Sequence, residues 1–333
     1  MIFSEAGLCA RAFASENLRA CGKQARVEAG TESERWWLMR ILIGVDGSSS
    51  SDAVIQEAAS RPWPAGSEFR VATVVDPFFF TRTPRLLDEF KNTTLEGLKD
   101  QAKNLAEAGW PVSYEVILDS ARHGLPRAAG AWCADLVMLG SHGRSAVGRL
   151  LLGSTAQVVL RHAPCSVEIV RAGRTQKTEG GAGMCVIIPT DGSEFAEMAL
   201  RCVAERPWPR GSKFKIVSCP EYPLLVGEYP YYPPEQMSEL MKSSKDHADE
   251  AAINGQQLLA GVGLEASYEV TQTKDTPAGA ILAVAEAWKA DLIAMGSHGR
   301  RGFDRLILGS VSETVALHAK CSVEVVRKAQ RPL

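Results

Sequence analysis

Two stretches of this chain carry the same unusual set of residues at the same spacing. Residues 140–154 read GSHGRSAVGRLLLGS, and 156 positions later residues 296–310 read GSHGRRGFDRLILGS. Both follow Gly-x2-Gly-x9-Gly-Ser, at Gly140, Gly143, Gly153 and Ser154 and again at Gly296, Gly299, Gly309 and Ser310. Glycines let a backbone pass close to an anion or take up φ > 0. A Gly-Ser pair that opens a helix offers unpaired N–H groups at the positive end of the helix dipole, which suits phosphate. Ser154 with Gln157, and Ser310 with Glu313, also fit a Ser-x-x-Glu/Gln capping box. The same residues also make sense as structure alone, since strand-ending glycines and helix-capping serines occur without any ligand. Retention of all four positions in both stretches, while neighbours such as Ser145/Arg301 and Val147/Phe303 differ, favours binding. The motif is not a Walker loop, because no Gly-Lys-Ser/Thr closes it, and its glycines lie too far apart for a Rossmann turn.

Basic residues recur inside the motif. Arg144/Arg300 and Arg149/Arg305 either neutralise phosphate charge or face solvent. His142 and His298 have no carboxylate or second ligand at a spacing that would build a metal or catalytic site, so they read as loop histidines near phosphate. His162 and His318 recur near the end of the following helix, where a cation suits the dipole. No Ser-His-Asp elbow, zinc signature or pair of catalytic carboxylates appears.

The elements that must position the motif are themselves duplicated. "RPWPAGSEFRV" (61–71) returns as "RPWPRGSKFKI" (206–216), and "ILIGVDGSSS" (41–50) as "VIIPTDGSEF" (186–195), each offset by 145 residues. The change of offset from 145 to 156 places an insertion of about 11 residues in the second copy, at the Pro/Tyr-rich "EYPLLVGEYPYYPPE" (221–235). Each copy alternates strand and helix signals. In the first, strands are expected at 40–45, 69–75, 112–117, 135–140 and 165–170. Helices are expected after Asp46-Gly47-Ser48, over 84–108, near 124–133, and between the glycine motif and Pro164. Strand–helix alternation of this length implies a parallel sheet covered on both faces. The chain therefore reads as α/β, with two tandem five-stranded α/β sandwich domains at 39–171 and 184–328, joined by a polar Gly-rich linker at 172–183. Trp63 and Trp208 of the two "RPWP" segments read as packing residues.

With the motif following a strand that ends "ADLVMLG" or "ADLIAMG", each copy resembles the universal stress protein (UspA-like) family, and the chain resembles a tandem two-domain member. The resemblance implies the strand order 3-2-1-4-5 of the adenine nucleotide alpha hydrolase-like fold. It implies ATP bound between the ends of strands one and four, with the glycine and serine positions above holding phosphates. Asp46 and Asp191 match the family aspartate near the adenosine, with Val45 and Thr190 beside them, and Val74 matches an apolar position lining the adenine pocket. It also implies that the last strands, "CSVEIVR" and "CSVEVVR", pair across a two-fold axis, here within one chain as an intramolecular pseudo-dimer, with chains able to associate further. The second copy departs where Cys219 and Pro220 replace Val74 and Val75, which puts its adenine pocket in question.

Composition bounds the rest. The chain has 333 residues, 45% apolar and 23% charged, as in an ordinary soluble protein of about two domains. A net charge of -2 gives no sign of a nucleic-acid or anionic-membrane partner, and no apolar run is long enough to span a bilayer. Eight scattered cysteines without a CxxC pair read as reduced core thiols in a cytoplasmic protein. Residues 1–38 have no apolar signal core and read as a loosely ordered extension, or as translation from a start upstream of Met39. Three functions stay open under this resemblance. The first is an ATP-binding stress-response switch or chaperone-like factor with little or no hydrolysis. The second is a nucleotide-free interaction module of the same family. The third is a slow ATPase in which Asp46 or Asp191 holds Mg²⁺.

Overall fold

A computed structural model describes residues 38–143, 152–171, 183–220, 233–271, 276–300 and 308–328. The expectations for residues 1–37, most of the linker and most of the Pro/Tyr-rich insertion fall outside the described residues, as do Arg144, Arg149 and Arg305 of the motif.

The first half runs β1 (Arg40–Gly44), α1 (Ser49–Ser60), β2 (Glu68–Val75), α2 (Pro84–Gln101), α3 (Lys103–Glu107), β3 (Val112–Leu118), α4 (Ala121–Ala131), β4 (Leu136–Gly140), α5 (Ser154–His162) and β5 (Ser166–Val170). The second runs β6 (Cys185–Thr190), α6 (Glu194–Glu205), β7 (Lys213–Ser218), α7 (Pro234–Gly261), β8 (Glu265–Val270), α8 (Pro277–Ala287), β9 (Leu292–Gly296), α9 (Ser310–His318) and β10 (Ser322–Val326). The single helix expected at 84–108 is divided at Ala102.

Each half has the expected strand order 3-2-1-4-5, all parallel within the half. The two sheets are not separate. They form one ten-stranded sheet, β3-β2-β1-β4-β5-β10-β9-β6-β7-β8, in which β5 and β10 meet antiparallel with Glu324 opposite Glu168. Both last strands are apolar edges, and pairing them removes two exposed edges at once. Central strands are buried on both faces: the "RILIG" of β1 leaves only Arg40 part-exposed. Val137, Val167, Ile293 and Val323 belong to one apolar cluster that runs across both halves beneath α4, α5, α8 and α9. On the opposite face each half has its own cluster, built on Phe69 in one and Phe214 in the other. The tryptophans pack there as expected. Trp63 Nε1 donates to the Ala58 carbonyl and stacks edge-on against Phe69 at 5.7 Å, and Trp208 repeats both contacts with Val203 and Phe214.

Between these two clusters lies a buried ionic network. Arg61 clamps Glu168 through two bonds of 2.9 and 2.5 Å and reaches Glu57 at 2.6 Å. Arg206 clamps Glu324 at 2.7 and 2.6 Å. Burial pushes the Glu168 carboxyl above the usual carboxylate range, against the pull of Arg61 and with a further push from Glu324 and Glu57. Among the described residues no helix is long and apolar enough to cross a membrane.

Candidate functional site

In each half the sheet order reverses between the first and fourth strands, β1 beside β4 and β6 beside β9. In open α/β sheets the crevice that takes ligands lies outside the carboxyl ends of the strands at such a switch point. The sequence motifs converge on these two crevices. Val45 and Asp46 follow β1, Gly140 ends β4, and Gly153–Ser154 open α5. Thr190 ends β6 with Asp191 next, Gly296 ends β9, and Gly309–Ser310 open α9. Val45 and Thr190 are buried, while Gly143, Gly299, Arg300, Ser154 and Ser310 are exposed at the mouth.

The aspartates hold each crevice together. Asp46 Oδ1 accepts the Ser48 N–H at 3.0 Å and the Ser51 hydroxyl at 2.8 Å, which fixes the turn into α1. Asp191 Oδ1 accepts the Ser193 N–H at 3.0 Å, and its Oδ2 accepts the Arg300 N–H at 3.0 Å. One carboxylate thus ties the strand-one turn to the glycine loop. This contact explains the second motif glycine. A Cβ on Gly143 would lie 2.7 Å from Asp46 Oδ2, and one on Gly299 would lie 2.6 Å from Asp191 Oδ2.

The other glycines also answer to close approach. A Cβ on Gly140 would meet Ser50 Cβ at 2.7 Å, and one on Gly296 would meet the Phe195 carbonyl oxygen at 2.5 Å. Strand four therefore ends directly against the first turn of α1 or α6. The Gly153 N–H donates to the Ser141 carbonyl at 2.8 Å, and the Gly309 N–H to the Ser297 carbonyl at 2.9 Å, which closes the base of the loop. None of these six glycines lies in the left-handed region, contrary to the φ > 0 use expected of them. That conformation belongs to Gly47 and Gly192, just after the aspartates.

The capping boxes do not form. Gly153 and Gly309 are the N-caps, and Ser154 and Ser310 are the first helical residues, with no side-chain cap bond at either helix. The loop-closing bonds pull the glycine into the cap position, so the hydroxyl moves into the helix and out to solvent. Among the described residues no side chain caps either first turn, and the N–H groups there carry the positive end of each dipole. Beside them, Ser141 and Ser297 hydroxyls engage Nδ1 of His142 and His298 at 2.9 and 3.0 Å. Nε2 of both histidines is buried with no hydrogen-bond partner among the described residues. Buried polar atoms ordinarily find one.

The halves differ where the sequence differs. Val74 sits at the carboxyl end of β2, part-buried against the central cluster. β7 stops at Ser218, so Cys219 and Pro220 lie beyond the strand. The second half adds two ties of its own. Ser312 Oγ donates to the Gly296 carbonyl at 2.8 Å, where the first half has Ala156. His247 Nε2 contacts the Asp191 carbonyl at 3.1 Å. Neither contact was legible in the motif, because each comes from a position where the copies diverge.

The fold is a tandem α/β architecture with one switch point in each half. A family model described as "Universal stress protein family" matches residues 38–171 and 185–327, and the chain belongs to that family. A universal stress protein of Mycolicibacterium smegmatis is 30% identical over 297 residues, covering 86% of this chain and 96% of that one. Universal stress protein MJ0531 of Methanocaldococcus jannaschii is 32% identical over 147 residues, 44% of this chain and 83% of its own. In structure, a universal stress protein from Archaeoglobus fulgidus aligns with a TM-score of 0.57 and 21% identity, over 88% of this chain and 97% of that one, which shows the shared fold.

Proposed function

We propose that this universal stress protein binds ATP in both crevices and acts as a nucleotide-dependent stress-response switch or chaperone-like factor with little or no hydrolysis. The observation that carries this reading is the state of the loop-to-helix junction. In both halves a glycine-capped helix start stands beside a buried histidine Nε2, and among the described residues neither has a side-chain partner. A phosphate supplies the acceptors that the helix N–H groups lack. The backbone around Gly140, Gly143, Gly153 and Ser154 would hold the phosphates in the first site, with Val45 and Val74 against the adenine and Asp46 near the adenosine. Gly296, Gly299, Gly309 and Ser310, with Thr190 and Asp191, would do the same in the second. Arg144 would add positive charge to the first site and Arg300, which is exposed, to the second. ATP itself would supply polyanionic charge and binding free energy. Ligand at about a hundred times its Kd stabilises the bound form by about 2.7 kcal/mol, enough to set the balance between two forms.

The competing reading is a nucleotide-free interaction module. Close contacts with the Asp46 and Asp191 carboxylates, Ser50 and Phe195 give Gly140, Gly143, Gly296 and Gly299 a structural reason without any ligand. Denaturing the purified chain and chromatographing what is released separates the two. The expected result is adenine nucleotide in stoichiometric amount, or, from a stripped preparation, saturable uptake of added ATP. Absence of both would leave the interaction module as the function.

A further inference from the structure

Each half ends in an arginine placed directly after its last strand, Arg171 after β5 and Arg327 after β10. Both reach across the β5–β10 seam. Arg171 Nη2 donates to the carbonyls of Ala316 at 2.7 Å and Leu317 at 3.1 Å, at the C-terminal end of α9. Arg327 Nη1 donates to the Ala163 carbonyl at 3.1 Å and Nη2 to that of Leu160, at the C-terminal end of α5. Their backbone N–H groups cross as well, Arg171 to Ser322 Oγ at 3.2 Å and Arg327 to Ser166 Oγ at 3.1 Å. A third crossing joins Arg161 of α5 to Glu313 in the first turn of α9 at 2.8 Å. The exchange is reciprocal: each half caps the last helix of the other.

Those two helices are the ones whose N-termini open the candidate sites. A guanidinium at a helix C-terminus satisfies carbonyls that have no partner in the helix and opposes the negative pole of the dipole. It holds the helix in place along its axis, and so fixes where the first-turn N–H groups stand. Each helix has nine residues, so the cation lies roughly 13 Å behind the bound anion, at 1.5 Å per residue. The protein between them is half-buried seam, where charge is screened less than at an open surface.

We propose that each half positions the anion site of the other: Arg327 serves the first site through α5, and Arg171 serves the second through α9. Both are positioning residues, and the inference rests on the nucleotide reading above. It makes the intact seam a condition for binding, so that any partner or modification that opened the seam would release ligand from both crevices.

The test is ATP titration by calorimetry on the full chain, one site at a time. Ser310→Asp silences the second site and Ser154→Asp the first, since a carboxylate at the helix start repels phosphate yet suits the dipole. In the Ser310→Asp chain, Arg327→Ala should weaken ATP by about three- to tenfold, the size of a charge interaction at a helix end. In the Ser154→Asp chain the same substitution should change affinity by less than about twofold. Arg171→Ala should show the opposite pattern, and Arg→Lys at either position should recover most of the loss. If an alanine variant fails to fold, Arg327→Gln and Arg171→Gln, which keep a donor without the charge, should show the same crossed pattern. Losses confined to the arginine's own half, or equal in both, overturn the coupling while leaving ATP binding in place. No binding by the unsubstituted chain overturns the nucleotide reading and the coupling with it.

Discussion

Ser154→Asp and Ser310→Asp should make the protein more stable while removing its affinity for ATP. Both serines are exposed first residues of nine-residue helices, and neither hydroxyl makes a cap bond. A carboxylate there meets the positive end of the dipole and the unpaired N–H groups, a gain of about 0.3–1 kcal/mol per helix at low salt. For a chain of this size that amounts to a rise in melting temperature of a few degrees for the pair. The same carboxylate stands where the phosphates would lie. At roughly 5 Å and an effective dielectric of about 20, each unit of phosphate charge is opposed by about 3 kcal/mol, more than a hundredfold in affinity. A scanning melt without ligand and an ATP titration on the same samples read both effects. A substitution that merely damaged the site would lower both quantities. Stability up with affinity unchanged would show that the phosphates do not sit at these helix starts. A fall in stability would show that the serines are not first-turn residues.

The seam gives a stability prediction. Arg206→Met leaves Glu324, 1% exposed, without its counter-ion and facing Glu168 across the strands, at a cost of about 3–5 kcal/mol. Arg206→Met with Glu324→Leu should recover most of it, and urea unfolding followed by tryptophan fluorescence would contradict this if the single variant cost under about 1 kcal/mol. Gly296→Ala and Gly143→Ala should separate packing from binding. The first drives a Cβ into the Phe195 backbone and should lower stability by about 1–3 kcal/mol. The second displaces the Asp46 carboxylate instead, and should lose more ATP affinity than stability. The Glu168 carboxyl sets a pH dependence. Its folded pKa lies above the ordinary value of 4.5, so between the two the native form holds a proton that the unfolded chain has released. Stability from this group is therefore complete below 4.5 and falls as pH rises through the raised value. Glu168→Gln should flatten that fall in urea midpoints measured across the acid range, and an unchanged slope would exclude the group.

The fold was legible because it was written twice. Apolar runs such as "ILIGV" and "DLVMLG" and the repeated "RPWP" corners place the strands, and the strand order follows from the resemblance. The meeting of the motif glycines with Asp46 and Asp191 was legible in position but not in reason. Propensity favours serine over glycine as an N-cap, yet the Gly153 and Gly309 N–H bonds back to the loop override it. The glycines were expected to serve close approach to an anion or backbone torsion, and four of them serve close approach to protein atoms 90 to 108 residues away in sequence, which no local pattern records. The buried Arg61–Glu168 and Arg206–Glu324 pairs escaped notice because a glutamate in the middle of "SVEIV" reads as the solvent side of an alternating strand. It is buried instead against Arg61 of its own half, with Glu324 opposite it on the other half's last strand. Arg171 and Arg327 did leave a signal, an arginine at the same place in both copies. Their partners, however, are carbonyls, which every sequence has everywhere.

The most direct test is calorimetric titration of ATP into the full chain after any bound nucleotide has been stripped. The expected result is saturable binding at two sites per chain, lost when Ser154→Asp and Ser310→Asp are combined, with the melt of the double variant no lower than that of the parent. No saturable heat from a folded, stripped chain that also released no nucleotide would contradict the assignment of these crevices as ATP sites.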